Sequence, residues 1–213
     1  MPNRRLLVSL LSLAAISSLA DERPQPALME EDTLKSYLHN DPSVQVETRL
    51  DVDFTGDGLR DSAFVLRGEE RRILKVMVGY ATEVDVDYDP AGEMEMDISP
   101  LGSAALTAKK GVLLVEDLTG GTTAIQSLYR FRYEPATKRM RLIGDDVMLY
   151  SRTNQHGSTS ISTNRLTGAR VTTESEIEGE TYVDRPAKRS QVAKKPLYME
   201  DAPTPDDTLG LND

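Results

Sequence analysis

From Ser43 onward, apolar residues recur at every second position in short runs, and each run ends at Gly, Asn, Asp or Pro. That is the period of strands with one buried face, separated by turns. "VQVETRLDV" sets Val44, Val46, Thr48, Leu50 and Val52 on one face, with Gln45, Glu47, Arg49 and Asp51 on the other. "SAFVLR" is a compact apolar run, and "RILKVMVGY" brings Ile73, Leu74, Val76 and Val78 ahead of Gly79. "AALTAKKGVLLVED" predicts a hairpin turning at Lys109-Lys110-Gly111, where the glycine supplies a positive φ. "TAIQSLYRFRYE" spaces Ile125, Leu128, Phe131 and Tyr133 among polar residues, and "PATK" is the turn into "KRMRLIGDDVMLYSR". "STSISTNRLTGARVTTE" predicts a further hairpin, turning over Asn164 to Gly168. Helical spacing occurs once, in "EEDTLKSYLHN", where Leu34, Tyr37 and Leu38 share a face. The pattern predicts an all-β fold, mainly antiparallel sheet, sandwiched or partly rolled, with one short N-terminal helix.

Both ends depart from this pattern. "MPNRRLLVSLLSLAAISSLA" has Arg4 and Arg5, an apolar block from Leu6 to Ile16 and small residues ending at Ala20, the layout of a signal peptide cut after Ala20. The block is roughly half the ~20 residues that a bilayer span needs, so export with cleavage is expected rather than anchoring. Residues 21–29 read as a polar leader and residues 30–184 as one β-rich domain. Residues 185–213 run from basic to acidic and contain Pro186, Pro196, Pro203 and Pro205. With few apolar residues to offset ordering entropy, they are expected to form a disordered, flexible tail.

Composition narrows the compartment and the partners. The chain has no cysteine, which excludes disulfides, thiol chemistry and a lipid-bearing N-terminal cysteine. The expectation is a periplasmic protein with no lipid anchor and no membrane insertion. The formal net charge is −10, and because the first twenty residues contribute two arginines and no acid, the remainder carries −12. Such an excess disfavours nucleic acid and anionic membrane surfaces. It favours a divalent cation or a basic protein partner.

The clearest candidate chemistry is "DVDFTGDGLRDSAFVL", Asp51 to Leu66. Counting from Asp53 as position one, Thr55 is three, Asp57 five, Gly58 six, Leu59 seven and Asp61 nine. A hard cation such as Ca²⁺ takes six to eight oxygens, supplied by side chains at odd positions and a carbonyl at seven, around a glycine bend. Asp53, Thr55, Asp57 and Asp61, with the Leu59 carbonyl, match that set. Asp51 belongs to the preceding strand. Position twelve is Phe64, where an EF-hand would carry a bidentate Glu, and the flanks are strands. The stretch resembles the D-x-[ND]-G-D-G-x-x-D element of FG-GAP or VCBS-type exported β-proteins, with Thr55 in place of Asn or Asp. That resemblance implies a loop joining two strands and closing on Ca²⁺. "ISTNRLTGARVTT" and "YRFRYEPATKRMRLIGDD" are similar, more loosely, to exported β-proteins that inhibit cell-wall hydrolases or confer immunity to them.

Other polar features carry less. Asp85, Asp87 and Asp89 imitate a second ion loop, but Pro90 occupies the bend, so a solvated strand face leading into a loop is expected. Glu116 and Asp117 are neighbours, and neighbours on a strand point to opposite faces, which disfavours a glycosidase pair. His39 and His156 sit in no metal or nucleophile pattern, and "TGGTT" lacks the lysine and helix of a phosphate loop. The functional expectation is a non-enzymatic, Ca²⁺-binding periplasmic module, in one version an inhibitor or immunity protein against a basic peptidoglycan hydrolase. The alternatives are an envelope hydrolase with dispersed carboxylates and a structural envelope scaffold.

Overall fold

The computed structural model describes residues 27–38, 42–83, 85–179 and 181–212. The segment expected to be a signal peptide (residues 1–20), most of the expected leader and His39 lie outside the described residues. Among the described residues, no helix is long and apolar enough to cross a membrane. The fold is all-β. After helix α1 (Glu31–Lys35), strands β1 (Gln45–Val52), β2 (Asp61–Arg67), β3 (Arg72–Ala81) and β4 (Val86–Glu95) form an antiparallel sheet in chain order. A larger antiparallel sheet follows: β5 (Ala105–Lys109), β6 (Val112–Gly120), β7 (Thr123–Glu134), β8 (Arg139–Ser151), β9 (Ser158–Asn164) and β10 (Ala169–Glu178). The outer edge of β10 is shared by β11 (Thr181–Asp184) and β12 (Lys188–Gln191).

The apolar runs decide how the sheets stack. On β2, Ala63 and Val65 face the larger sheet, while Phe64 and Leu66 face α1, and all four are inaccessible to solvent. On β3, Leu74 and Val76 face inward, and Ile73 and Met77 face α1. A strand covered on both sides has no need of a polar face, which is why "SAFVLR" reads as continuous rather than alternating. The inner core joins these residues to Leu113, Val115, Phe131, Met140 and Leu142 of the larger sheet. The outer core is closed by Leu34 and Leu38, with Tyr37 packed on Phe64 at 6.0 Å between ring centroids.

Strand β1 departs from its predicted alternation. Its register on β2 slips between Val46 and Thr48, leaving Glu47 as an extra, bulged residue. Val44 and Val46 therefore pack on the α1 side, and Leu50 and Val52 on the inner side. Expected together on one face, the two pairs serve different cores, because a bulge inverts everything beyond it. It also turns Glu47, expected on the polar face, inward. Strand β4 has a similar irregularity. It runs through Pro90, at an edge of the small sheet, with a register slip opposite Val76–Met77. The predicted loop is absent there, because an edge bulge accommodates proline. Asp87 and Asp89 do form an exposed strand face.

The C-terminal segment also differs from expectation. Beyond β12 it forms a short 3-10 helix (Met199–Asp201) and helix α2 (Pro205–Leu209). Together these make a strap across the sheets rather than a flexible tail. Met199 is inaccessible and belongs to the inner core, flanked by Leu197 and Ala202. The Leu142 N–H donates to the Leu197 carbonyl at 2.9 Å, and Tyr198 bridges to Arg141. The Tyr198 hydroxyl donates to Glu134 at 2.7 Å, and the Arg139 guanidinium lies 4.0 Å over its ring. The prolines assist: Pro205 occupies the first turn of α2, behind a Thr204–Asp207 capping box. Few apolar residues suffice when each enters a groove already shaped by the sheets.

Gly168 closes the β9–β10 turn at φ +76°, and a Cβ there would lie 2.6 Å from the Val192 carbonyl. Gly168→Ala should cost about 1–3 kcal/mol in urea denaturation, from left-handed backbone strain and the displaced β12. A midpoint equal to that of the wild type would show that β12 pairs weakly.

Candidate functional site

The loop between β1 and β2 begins at Asp53 and ends at Asp61, and its conformation follows from its two glycines. Gly56 and Gly58 have φ of +82° and +88°, the region that glycine occupies without penalty. These bends wrap the backbone N–H groups around the acidic side chains. Asp53 accepts from the Gly56 N–H at 2.6 Å and from the Gly58 N–H at 2.9 Å, and the Thr55 hydroxyl donates to it at 3.2 Å. Asp57 accepts from the Leu59 N–H at 2.8 Å. Asp51 lies apart, held by Arg49 within β1 at 2.8 Å.

Asp61 anchors the loop to the core. Its carboxylate is inaccessible, and it accepts from the N–H groups of Phe54 at 2.6 Å, Thr55 at 3.1 Å and Gly79 at 2.9 Å. Desolvation pushes its pKa up to about 6, and the charge of Asp53 adds to the rise, against the pull of the three amides. One loop therefore holds a buried carboxylate close to a second, exposed one. Asp53, Thr55, Asp57, the Leu59 carbonyl and Asp61 are all brought into this loop in the predicted order. Their side chains are engaged with loop amides, and among the described residues no three acidic or imidazole groups converge at metal-binding spacing. The donor chemistry, oxygen throughout, fits a hard cation. Ca²⁺ would be held by Asp53, Asp57 and Asp61 with Thr55 and the Leu59 carbonyl, and it would neutralise the charge that the loop concentrates.

The other candidates resolve into structural roles. The His156 ring joins two turns, with Nδ1 2.7 Å from the Gly157 carbonyl and Nε2 2.8 Å from the Thr123 hydroxyl. Since a carbonyl only accepts, Nδ1 donates to Gly157. "TGGTT" is the tight β6–β7 turn, with Gly120 at φ +88°. Glu116 and Asp117 fall mid-strand in β6 on opposite faces, Glu116 exposed and Asp117 buried.

Sequence reasoning missed what Asp117 does. Arg72 of β3 is inaccessible and lies between two carboxylates. It donates to Asp117 at 2.7 and 2.9 Å and to Glu47 at 2.7 and 2.6 Å. It also donates to the Asp97 carbonyl at 3.0 Å, and Glu47 accepts from the Ala104 N–H at 2.7 Å. Burial alone would weaken the Arg72 charge, but the two carboxylates outweigh it and drive the pKa up. Burial likewise works to raise the Glu47 pKa, and the bonds from Arg72 and Ala104 bring it below the ordinary value. This triad is the polar tie between the sheets. Its signal in sequence is parity: Arg72 falls in step with inward Leu74 and Val76, and Asp117 with inward Leu113 and Val115.

No family profile, curated protein or solved structure matches the chain.

Proposed function

We propose that this protein is an exported, Ca²⁺-binding β-domain that works in the periplasm as a non-enzymatic binding module. The observation that carries the reading is Asp61, a core-buried carboxylate closing a glycine-bent loop whose side-chain donors are all oxygen. The likeness of "DFTGDGLRD" to FG-GAP or VCBS-type loops supports the same ion. In this reading the ion is structural and pins the β1–β2 junction in a chain that has no cysteine for disulfides. The acidic excess, with Asp85, Asp87 and Asp89 on or beside an exposed strand face, suits a basic protein partner. The specific version is inhibition of, or immunity to, a basic peptidoglycan hydrolase.

Isothermal titration should give saturable heat with Ca²⁺ that Asp57→Ala abolishes. Asp57 is exposed, so its loss leaves the core intact. At a free Ca²⁺ concentration of about 100 times Kd, the ion adds ~2.7 kcal/mol of stability. Absence of heat at millimolar Ca²⁺ removes the metal from the proposal. For the partner, a peptidoglycan zymogram discriminates: suppression of a basic hydrolase's clearing supports inhibition, and clearing by this protein alone makes it an enzyme.

A further inference from the structure

A cavity of about 280 Å³ opens between the inner face of β6 and β7, the end of β4 and the C-terminal strap. It lies at the opposite end of β6 from the acidic loop. Gly111, just before β6, sits against the Phe54 carbonyl of that loop, and Thr119 near the other end of β6 lines the cavity. That separation is roughly 26 Å of strand.

The cavity marks where the inner face changes chemistry. Leu113 and Val115 of β6 are apolar and inaccessible, but the next inward positions are Asp117 and Thr119, facing Ser127 and Ile125 on β7. Thr119 and Ser127 are 6% and 4% exposed, and among the described residues neither hydroxyl has a hydrogen-bond partner. Both residues are more than nine-tenths buried and line the same cavity, so a polar occupant would find two hydroxyls free to accept there. The charge there is negative. The adjoining triad sets two carboxylates against one guanidinium, and half-buried Asp206 in the roof forms no ion pair among the described residues. No Lys, Arg or His lines the space. The remaining walls include Met94, Met96 and Ile125, flexible or aliphatic side chains suited to an alkyl chain.

An anion is repelled here, and a neutral chain leaves the excess charge uncompensated. An ammonium has three N–H donors and no acceptor, which matches two hydroxyls and one carboxylate. We propose that this cavity binds a short aliphatic ammonium, its head on Thr119, Ser127 and Asp206 and its chain against Met94, Met96 and Ile125. The same group ends a free alkylamine and a lysine side chain. The site stands apart from the calcium loop and does not depend on it.

The test is an amide-resolved NMR titration of the purified protein with pentylamine, 1,5-diaminopentane, 1-pentanol, pentanoate and N-acetyl-lysine methylamide. The amines should shift Thr119, Ser127 and Asp206 saturably, with 1-pentanol and pentanoate at least about tenfold weaker. Ser127→Ala and Asp206→Asn should each weaken amine binding about tenfold. Asp206→Asn leaves the Thr204–Asp207 capping box in place, so the strap still docks. Asp57→Ala, in the remote loop, should leave amine affinity unchanged. Tighter binding of pentylamine than of the lysine derivative supports a free amine as ligand, and the reverse supports a partner's lysine. Equal binding of 1-pentanol and pentylamine overturns the proposal. So does the absence of saturable shifts up to about 10 mM amine, or amine affinity unchanged in both site variants.

Discussion

Arg72→Met should be the most damaging single substitution in this protein, at about 3–5 kcal/mol, because it strands Glu47 and Asp117 as buried carboxylates without a cation. Against a typical total of about 5–15 kcal/mol, that is a large share of the fold. Asp117→Asn should cost distinctly less. It leaves Arg72 paired with Glu47 and removes one of two negative charges gathered around a single positive one. Urea denaturation of the three proteins gives the order directly, and an Arg72→Met midpoint close to the wild type's would remove the triad from the list of structural ties. Acid should act in the same direction. The folded pKa of Glu47 is lowered, so its contribution is complete above its ordinary value of 4.5 and fades as pH falls through the folded value. Wild type should therefore lose stability on acidification below that value, and Glu47→Gln should show a smaller loss over the same range.

The second large effect is expected at Met199. Met199→Ala empties a fully enclosed position between the sheets and should cost about 2–4 kcal/mol. Neighbouring groups have little room to fill the space, since a Cβ built on Gly92 would lie 2.9 Å from the Met199 sulfur. Ending the chain after Val192 should cost more. It removes Leu197, Met199 and Ala202 together and uncovers the inner core around Met140 and Leu142. The readouts are the denaturation midpoint and the binding of a hydrophobic dye. A flexible tail predicts no change in either, so an unaltered midpoint for the truncated chain would restore that reading.

Most of the strand plan was legible because most strands follow the period-2 rule. The hairpin at Lys110-Gly111 and the β9–β10 turn at Asn164 to Gly168 fall where the turn residues place them. So does the "PATK" turn between β7 and β8. The misreadings share a cause: each depends on a contact distant in sequence. The composition of the strap shows only how few apolar residues it has, whereas what orders it is the groove that Leu197 and Met199 enter, built from β4 and β8. Around Pro90 the expected loop is instead strand, because that strand is an edge with a slipped register. Arg72 and Asp117 were visible in principle, each two positions before or after an inward apolar residue. Their partner Glu47 was hidden, because alternation assigns it outward and only the bulge turns it in. For the loop, the spacing gave the order of the oxygens but not the backbone amides that engage them.

That bulge means that β1 carries one residue more than its pairing with β2 uses. Deleting Glu47 would let Val46 and Thr48 pair with Leu66 and Val65 in unbroken alternation, so Val44 and Val46 would stay on the α1 side and Leu50 and Val52 on the inner side, while Arg72 would lose one of its two carboxylates. Substitutions along this strand change one contact at a time, and this deletion likewise removes one buried ion contact while leaving the strand's two faces in place. A library of variants should therefore tolerate loss of the residue at 47 far better than loss of one residue from the regular strand β2, where it would exchange Ala63 and Val65 with Phe64 and Leu66.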